Sequence, residues 1–153
     1  MTATWSPPLD EFTTAVLALL NANPETTKVW PGAYGGSPTR PTFPHAILYR
    51  IPGGSADPLP DLDGPGREVT VCWQVTSVSN AFNECEHTGA VLRDQLLARD
   101  NTGGFLHQLQ LPDGWQDIDR RQVGELPGID RVGQHPTAVF NEPARYLLTF
   151  APA

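Results

Sequence analysis

The sequence predicts one domain that mixes helices with strands, and three observations predict it. Two segments repeat apolar residues at three-to-four spacing, as a helix with one side on a core must: Leu9, Phe12, Val16, Leu19 and Leu20, then Phe82, Cys85, Gly89, Leu92 and Leu96. A third segment, 67–77, alternates Val69, Val71, Trp73 and Val75 with Thr70, Cys72, Gln74 and Thr76, which is the period of a strand. The chain has 153 residues, enough for one core and too few for a comfortable second, so 1–153 is read as a single domain.

The first helix is predicted over 7–22. Ser6 supplies a capping hydroxyl, Pro7 and Pro8 sit where an N–H is not missed, and Asp10 and Glu11 favour the positive end of the helix. Thr13 and Thr14 fall on the solvent side, and Pro24 stops the helix. A short extended piece follows at 28–30, then a turn-rich connector over 31–41. Pro44 and Pro52 bracket a strand at 45–51, with Ile47, Tyr49 and Ile51 on one face. Residues 53–66 hold four Gly, three Pro and the acids Asp57, Asp61 and Asp63, a long solvated loop.

After the 67–77 strand, Ser79-Asn80 is a helix start, with Glu84 and Glu86 early and Arg93 and Arg99 late in a helix over 80–99. Gly89 on its apolar stripe costs about 1 kcal/mol relative to Ala, which implies a partner approaching the backbone there. Residues 101–104 break the helix. Strands are expected at 115–125 and 145–150, joined by a second long loop over 126–142.

Composition limits the function. With 39% hydrophobic residues the chain can build a core, which excludes wholesale disorder. Seventeen acids against ten bases give a net charge of −7, lacking the basic footprint of a nucleic-acid binder. No run reaches membrane-spanning length, and the amino-terminal residues lack the pattern of a secretory signal, so synthesis in the cytoplasm and no membrane partner are expected. Cys72 and Cys85 are then expected to be buried thiols.

Catalytic and ligand motifs are missing from the sequence. It holds no phosphate loop, dinucleotide fingerprint, nucleophile elbow or paired helical histidines, so neither an enzyme nor a cofactor is expected. Cys85, Glu86 and His87 point in different directions around one helix and cannot share a metal. Asp57, Asp61 and Asp63 lack the further ligands of a calcium loop. Asp117 and Asp119 imitate a carboxylate pair on one strand face, yet Arg120 and Arg121 follow at once, which reads as exposed charge on an edge strand. The histidines His45, His87, His107 and His135 fall in four separate elements. Trp5, Trp30, Trp73 and Trp115 would need one shared surface to stack bases or sugars, and Trp73 is expected in the core.

The order of elements carries a resemblance. It includes Phe43-Pro44 before the strand His45-Ala-Ile-Leu-Tyr, and the run Gln74-Val-Thr-Ser-Val-Ser-Asn-Ala leading to Leu92-Arg-Asp-Gln-Leu-Leu. In this the chain resembles the tail terminator, or tail-completion, family of bacteriophages with long flexible tails. The resemblance implies an α+β domain, with a mainly antiparallel sheet of about four to five strands and two helices packed on it. It implies six copies in a ring at the head-proximal end of the virion tail, with the major tail tube protein on one side and the head-tail connector on the other. DNA would pass through the lumen without specific binding, which suits a negative ring. A ring contact joins two different patches, and Asp57, Asp61 and Asp63 facing Arg120, Arg121 or Arg131 are the candidate pair. Another head-tail joining or tail tube protein, or a small-molecule-binding or enzymatic domain, are the alternatives.

Overall fold

The computed structural model describes residues 7–23, 28–32, 42–51, 68–124, 128–134 and 137–153. Ser6, Trp5, Pro24, most of the 31–41 connector, Pro52, the 53–66 loop with its three acids, and His135 lie outside the described residues. The rest forms an α+β domain of two helices and a mostly antiparallel sheet.

Helix α1 (Leu9–Leu20) starts at Pro8, with no side chain capping it. Its apolar stripe is inward as expected: Phe12, Ala15, Val16, Leu19 and Leu20 are buried. Thr13 is the exception to the solvent-facing reading. Its hydroxyl donates back to the Leu9 carbonyl and receives the Trp73 indole N–H at 3.2 Å, so the sheet's largest side chain is satisfied by the helix above it. At the other end the Asn21 amide bonds Val29 reciprocally, accepting from its N–H at 2.8 Å and donating to its carbonyl at 3.0 Å. That pair ties the helix to the first strand.

Strand β1 (Val29–Pro31) runs parallel to β2 (His45–Arg50), which pairs antiparallel with β3 (Val69–Ser79). Helix α2 (Phe82–Leu97) follows, then β4 (Trp115–Val123), β5 (Asp130–Val132) and β6 (Val139–Pro152). The spatial order is β1-β2-β3-β6-β4, with β5 also on β6. The 126–142 segment is therefore not simply a loop: Asp130–Val132 pairs with Val139 to Asn141, and β6 begins at Val139 rather than near 145. Pro136, two Gly and the scattered charges hid a short strand with all three residues exposed. Such a strand has no apolar alternation to read.

Helix α2 begins at Phe82, two residues later than the predicted start at Asn80, with Ala81 as the residue before it, and the Ser79 hydroxyl accepts the Ala81 N–H in a local turn. It ends at Leu97. Arg99, expected in its last turn, instead forms a bridge with Phe105 and donates to the Gly103 carbonyl at 2.7 Å. Asp100 organises that turn, accepting from the Thr102 hydroxyl and from the Thr102 and Gly104 N–H groups, and these bonds, the hydroxyl's first, hold its carboxyl below the usual range.

Register separates the two sides of the sheet. Val69, Val71, Trp73 and Val75 of β3 stand opposite Phe150, Leu148, Tyr146 and Ala144 of β6, and this side meets both helices. Phe12 stacks on Phe150 at 4.3 Å and Trp73 meets the same ring edge-on at 6.0 Å. Phe150 is fully buried at this junction. Phe150→Ala should cost roughly 3–5 kcal/mol of folding stability, read as a lower urea midpoint with an unchanged slope; a loss under 1 kcal/mol would show that α1 repacks easily.

Candidate assembly surface

Strand β4 carries the residues that the sequence offered as exposed charge, and a bulge decides where they go. Asp117 stands opposite Phe150 while Asp119 stands opposite Thr149, so Ile118 is the extra residue. The insertion reverses the alternation after Asp117. Asp117 and Arg120 thereby face the helices together, while Asp119 and Arg121 face away, and the two carboxylates do not form a pair.

Arg120 is consequently 3% exposed, which corrects its reading as an exposed edge residue and as an interface base. Its Nε donates to Asp117 Oδ2 at 2.6 Å and its Nη1 to the Leu96 carbonyl at 3.0 Å, near the end of α2. The Phe105 ring lies 4.4 Å from its guanidinium and 4.3 Å from that of Arg99. One buried arginine thus joins β4, the α2 terminus and the 98–114 connection. Burial pushes the Asp117 carboxyl up, and Arg120 pulls against that rise.

A second cluster lies where α2 crosses β6. A Cβ added at Gly89 would come within 3.1 Å of the Glu142 carboxylate, the close approach that the helical glycine implied. Burial pushes the Glu142 carboxyl up; Arg93 opposes the shift and Glu86 adds to it. Cys85 is buried beside it, with its thiol toward the Ser77 and Phe140 carbonyls. Burial, and secondarily Glu142, push that thiol up to about 11. Cys72 is buried as well, and both are free thiols. The Cys85 environment opposes thiolate chemistry.

Among the described residues no group of three or more His, Cys, Asp or Glu could hold a metal. His45 is buried at the start of β2, His87 is exposed on α2, and His107 lies in the 98–114 connection. Trp73 is buried, as expected; Trp115 packs edge-on to Phe12, whereas Trp30 sits under the Lys28 ammonium at 4.2 Å. Among the described residues no helix is long and apolar enough to cross a membrane.

What the fold presents outward is charge and a few apolar side chains. Arg121 and Arg131 are exposed, while Asp57, Asp61 and Asp63 lie outside the described residues. Ile118 at the bulge and Val132 on β5 are 41% and 60% exposed along the same flank of β6. Arg145, which strand alternation gave no reason to single out, is also exposed. Its Nε donates to Gln74 Oε1 at 3.2 Å on the side of the sheet away from the helices.

No protein-family model matches the sequence, and no curated protein matches it. Among solved structures, a chain in the "Virion of native gene transfer agent (GTA) particle" superposes with a TM-score of 0.61 at 15% identity. The alignment covers 94% of this chain and 96% of that chain. At this identity the likeness establishes a shared fold over nearly the whole length.

Two outcomes follow from the clusters. Arg120→Met leaves Asp117 buried without its partner and should cost about 3–5 kcal/mol in urea unfolding, much of it recovered in an Asp117→Leu/Arg120→Met double variant; a single variant of native stability would refute the lock. Glu142 has a raised native pKa, so its stabilising contribution is complete at pH below the ordinary carboxylate range and is lost as pH rises through the raised value. Glu142→Gln should flatten that decline in unfolding midpoints measured across acid to neutral pH; parallel curves would contradict it.

Proposed function

We propose that this chain is a structural virion protein, not an enzyme, and that its copies close into a ring capping the head-proximal end of a phage tail tube. The observation that carries this reading is the nearly full-length fold shared with a chain of a gene transfer agent virion, to which the resemblance to tail terminators adds the position in the tail. Such a ring would meet the tube protein on one face and the head-tail connector on the other. With −7 on every copy it would pass DNA by like-charge repulsion rather than bind it. Arg131, exposed on β5, is the base we assign to Asp57, Asp61 and Asp63 of the neighbouring copy.

The edges of the sheet suit a closed assembly. β1 is three residues long and ends in Pro31, and β4 is interrupted by its bulge, so neither edge offers a long flat template for endless strand pairing. Contacts through faces and loops can close instead.

Light scattering over a wide concentration range tests the reading. Six copies of 16.6 kDa give about 100 kDa, and a species of that mass that grows no further is expected. Continued growth with concentration would indicate a tube protein, and a 16.6 kDa monomer throughout would overturn a self-closing ring.

A further inference from the structure

The two halves of α2 are held to the rest of the fold by different means, and Gly89 lies between them. After Gly89, Leu92 and Leu96 join the hydrophobic core, the Gln95 amide donates to the Leu19 carbonyl at 3.0 Å, and Arg120 Nη1 donates to the Leu96 carbonyl. Before Gly89 the grip is slight. Phe82 is 48% exposed and meets Phe140 edge-on, and no side chain caps the first turn. The buried positions of this half are the small side chains of Cys85 and Thr88, neither of which belongs to the core cluster.

What this first half rests on is a carboxyl group. Glu142 stands opposite Ser77 on the helix side of the sheet, and its carboxylate lies against the Gly89 backbone, 3.1 Å from where a Cβ would be. Its Oε2 is buried and accepts no hydrogen bond from the described residues. The titratable groups on this side are mixed in sign. Cys85, Glu86 and Arg93 come from α2, Tyr146 from β6, and Arg131 from β5, where it stands opposite Phe140. Ser77 and Ser79 of β3 and Gln122 of β4 are uncharged. Arg93 attracts the carboxylate and Glu86 repels it, yet the described salt bridges are Arg50 with Asp10 and Arg120 with Asp117, so no described cation closes on Glu142. A neutral carboxyl is tolerated in such a seat, whereas a charged one with a buried, unpartnered oxygen is costly.

We propose that α2 is a hinged, pH-responsive helix: ionisation of Glu142 releases the half before Gly89 from β6, while the half after Gly89 stays docked. The glycine supplies the flexible point, since it costs a helix about 1 kcal/mol relative to Ala and leaves the backbone freer. The carboxylate gains water when the half-helix lifts, and the lift uncovers Cys85 and the Phe140 ring. The opening is local because the bonds from Gln95 and Arg120 lie beyond the hinge. The hinge stands whether or not the chain forms rings.

Hydrogen exchange of the full chain, followed by mass spectrometry from acid to neutral pH and corrected for the intrinsic pH dependence of amide exchange, tests the hinge. As pH rises between the ordinary and the raised carboxyl value, residues 83–88 should lose protection by up to about tenfold per pH unit, while 92–97 keep theirs. Glu142→Gln should remove that dependence, and Glu86→Gln should leave it in place. Protection that is flat with pH, a loss spread equally over both halves, a response that persists in Glu142→Gln or one that Glu86→Gln abolishes would each overturn the proposal. Should Glu142→Gln lose its native circular dichroism spectrum, the native pattern across the two halves decides, together with the response of Glu86→Gln.

Discussion

The pairing of β3 with β6 is the constraint on which the rest depends. All eleven residues of β3 find partners in β6, from Val69 opposite Phe150 to Ser79 opposite Phe140. Because side chains alternate across a strand, this one register assigns Val71, Trp73, Leu148 and Phe150 together to the helix side. A slip by one residue would turn Trp73 and Phe150 outward and leave α1 without the surface it covers. β2 then adds to the free side of β3, and β4 and β5 add in tandem to the free side of β6. The outcome is a two-layer slab whose two sides are chemically distinct.

The bulge in β4 solves a problem that this slab creates. A regular strand beside β6 would place Asp117, Asp119 and Arg121 on one side and leave Arg120 with Ile118 on the other. One extra residue sends Asp117 and Arg120 inward together, where each satisfies part of the other's charge and Arg120 also reaches the Leu96 carbonyl. Arg121 is released to the outer side. The same irregularity that builds an internal lock therefore leaves Arg121 exposed on the side of the sheet away from the helices.

The α+β class and the two apolar helix stripes were legible because they rest on strong periodicity: Phe12, Val16, Leu19 and Leu20, then Cys85, Leu92 and Leu96, and Val69, Val71, Trp73 and Val75 are buried where expected, whereas Phe82 at the head of the second stripe is exposed. Gly89 was legible from its cost, and Glu142 is the partner that explains it. What escaped notice depends on partners distant in sequence. No pattern around Asp117 announces a bulge, so the burial of Arg120 was hidden. The exposed Asp130–Val132 strand has no apolar face, and the Thr13 hydroxyl is inward because Trp73 needs an acceptor.

The ring-forming role proposed above is compatible with these features. Short or bulged edges discourage endless strand pairing. Electron microscopy of the negatively stained native protein tests this most directly. Annular particles of one diameter with a central opening are expected. Fields of featureless monomers, or filaments that lengthen with concentration, would contradict it.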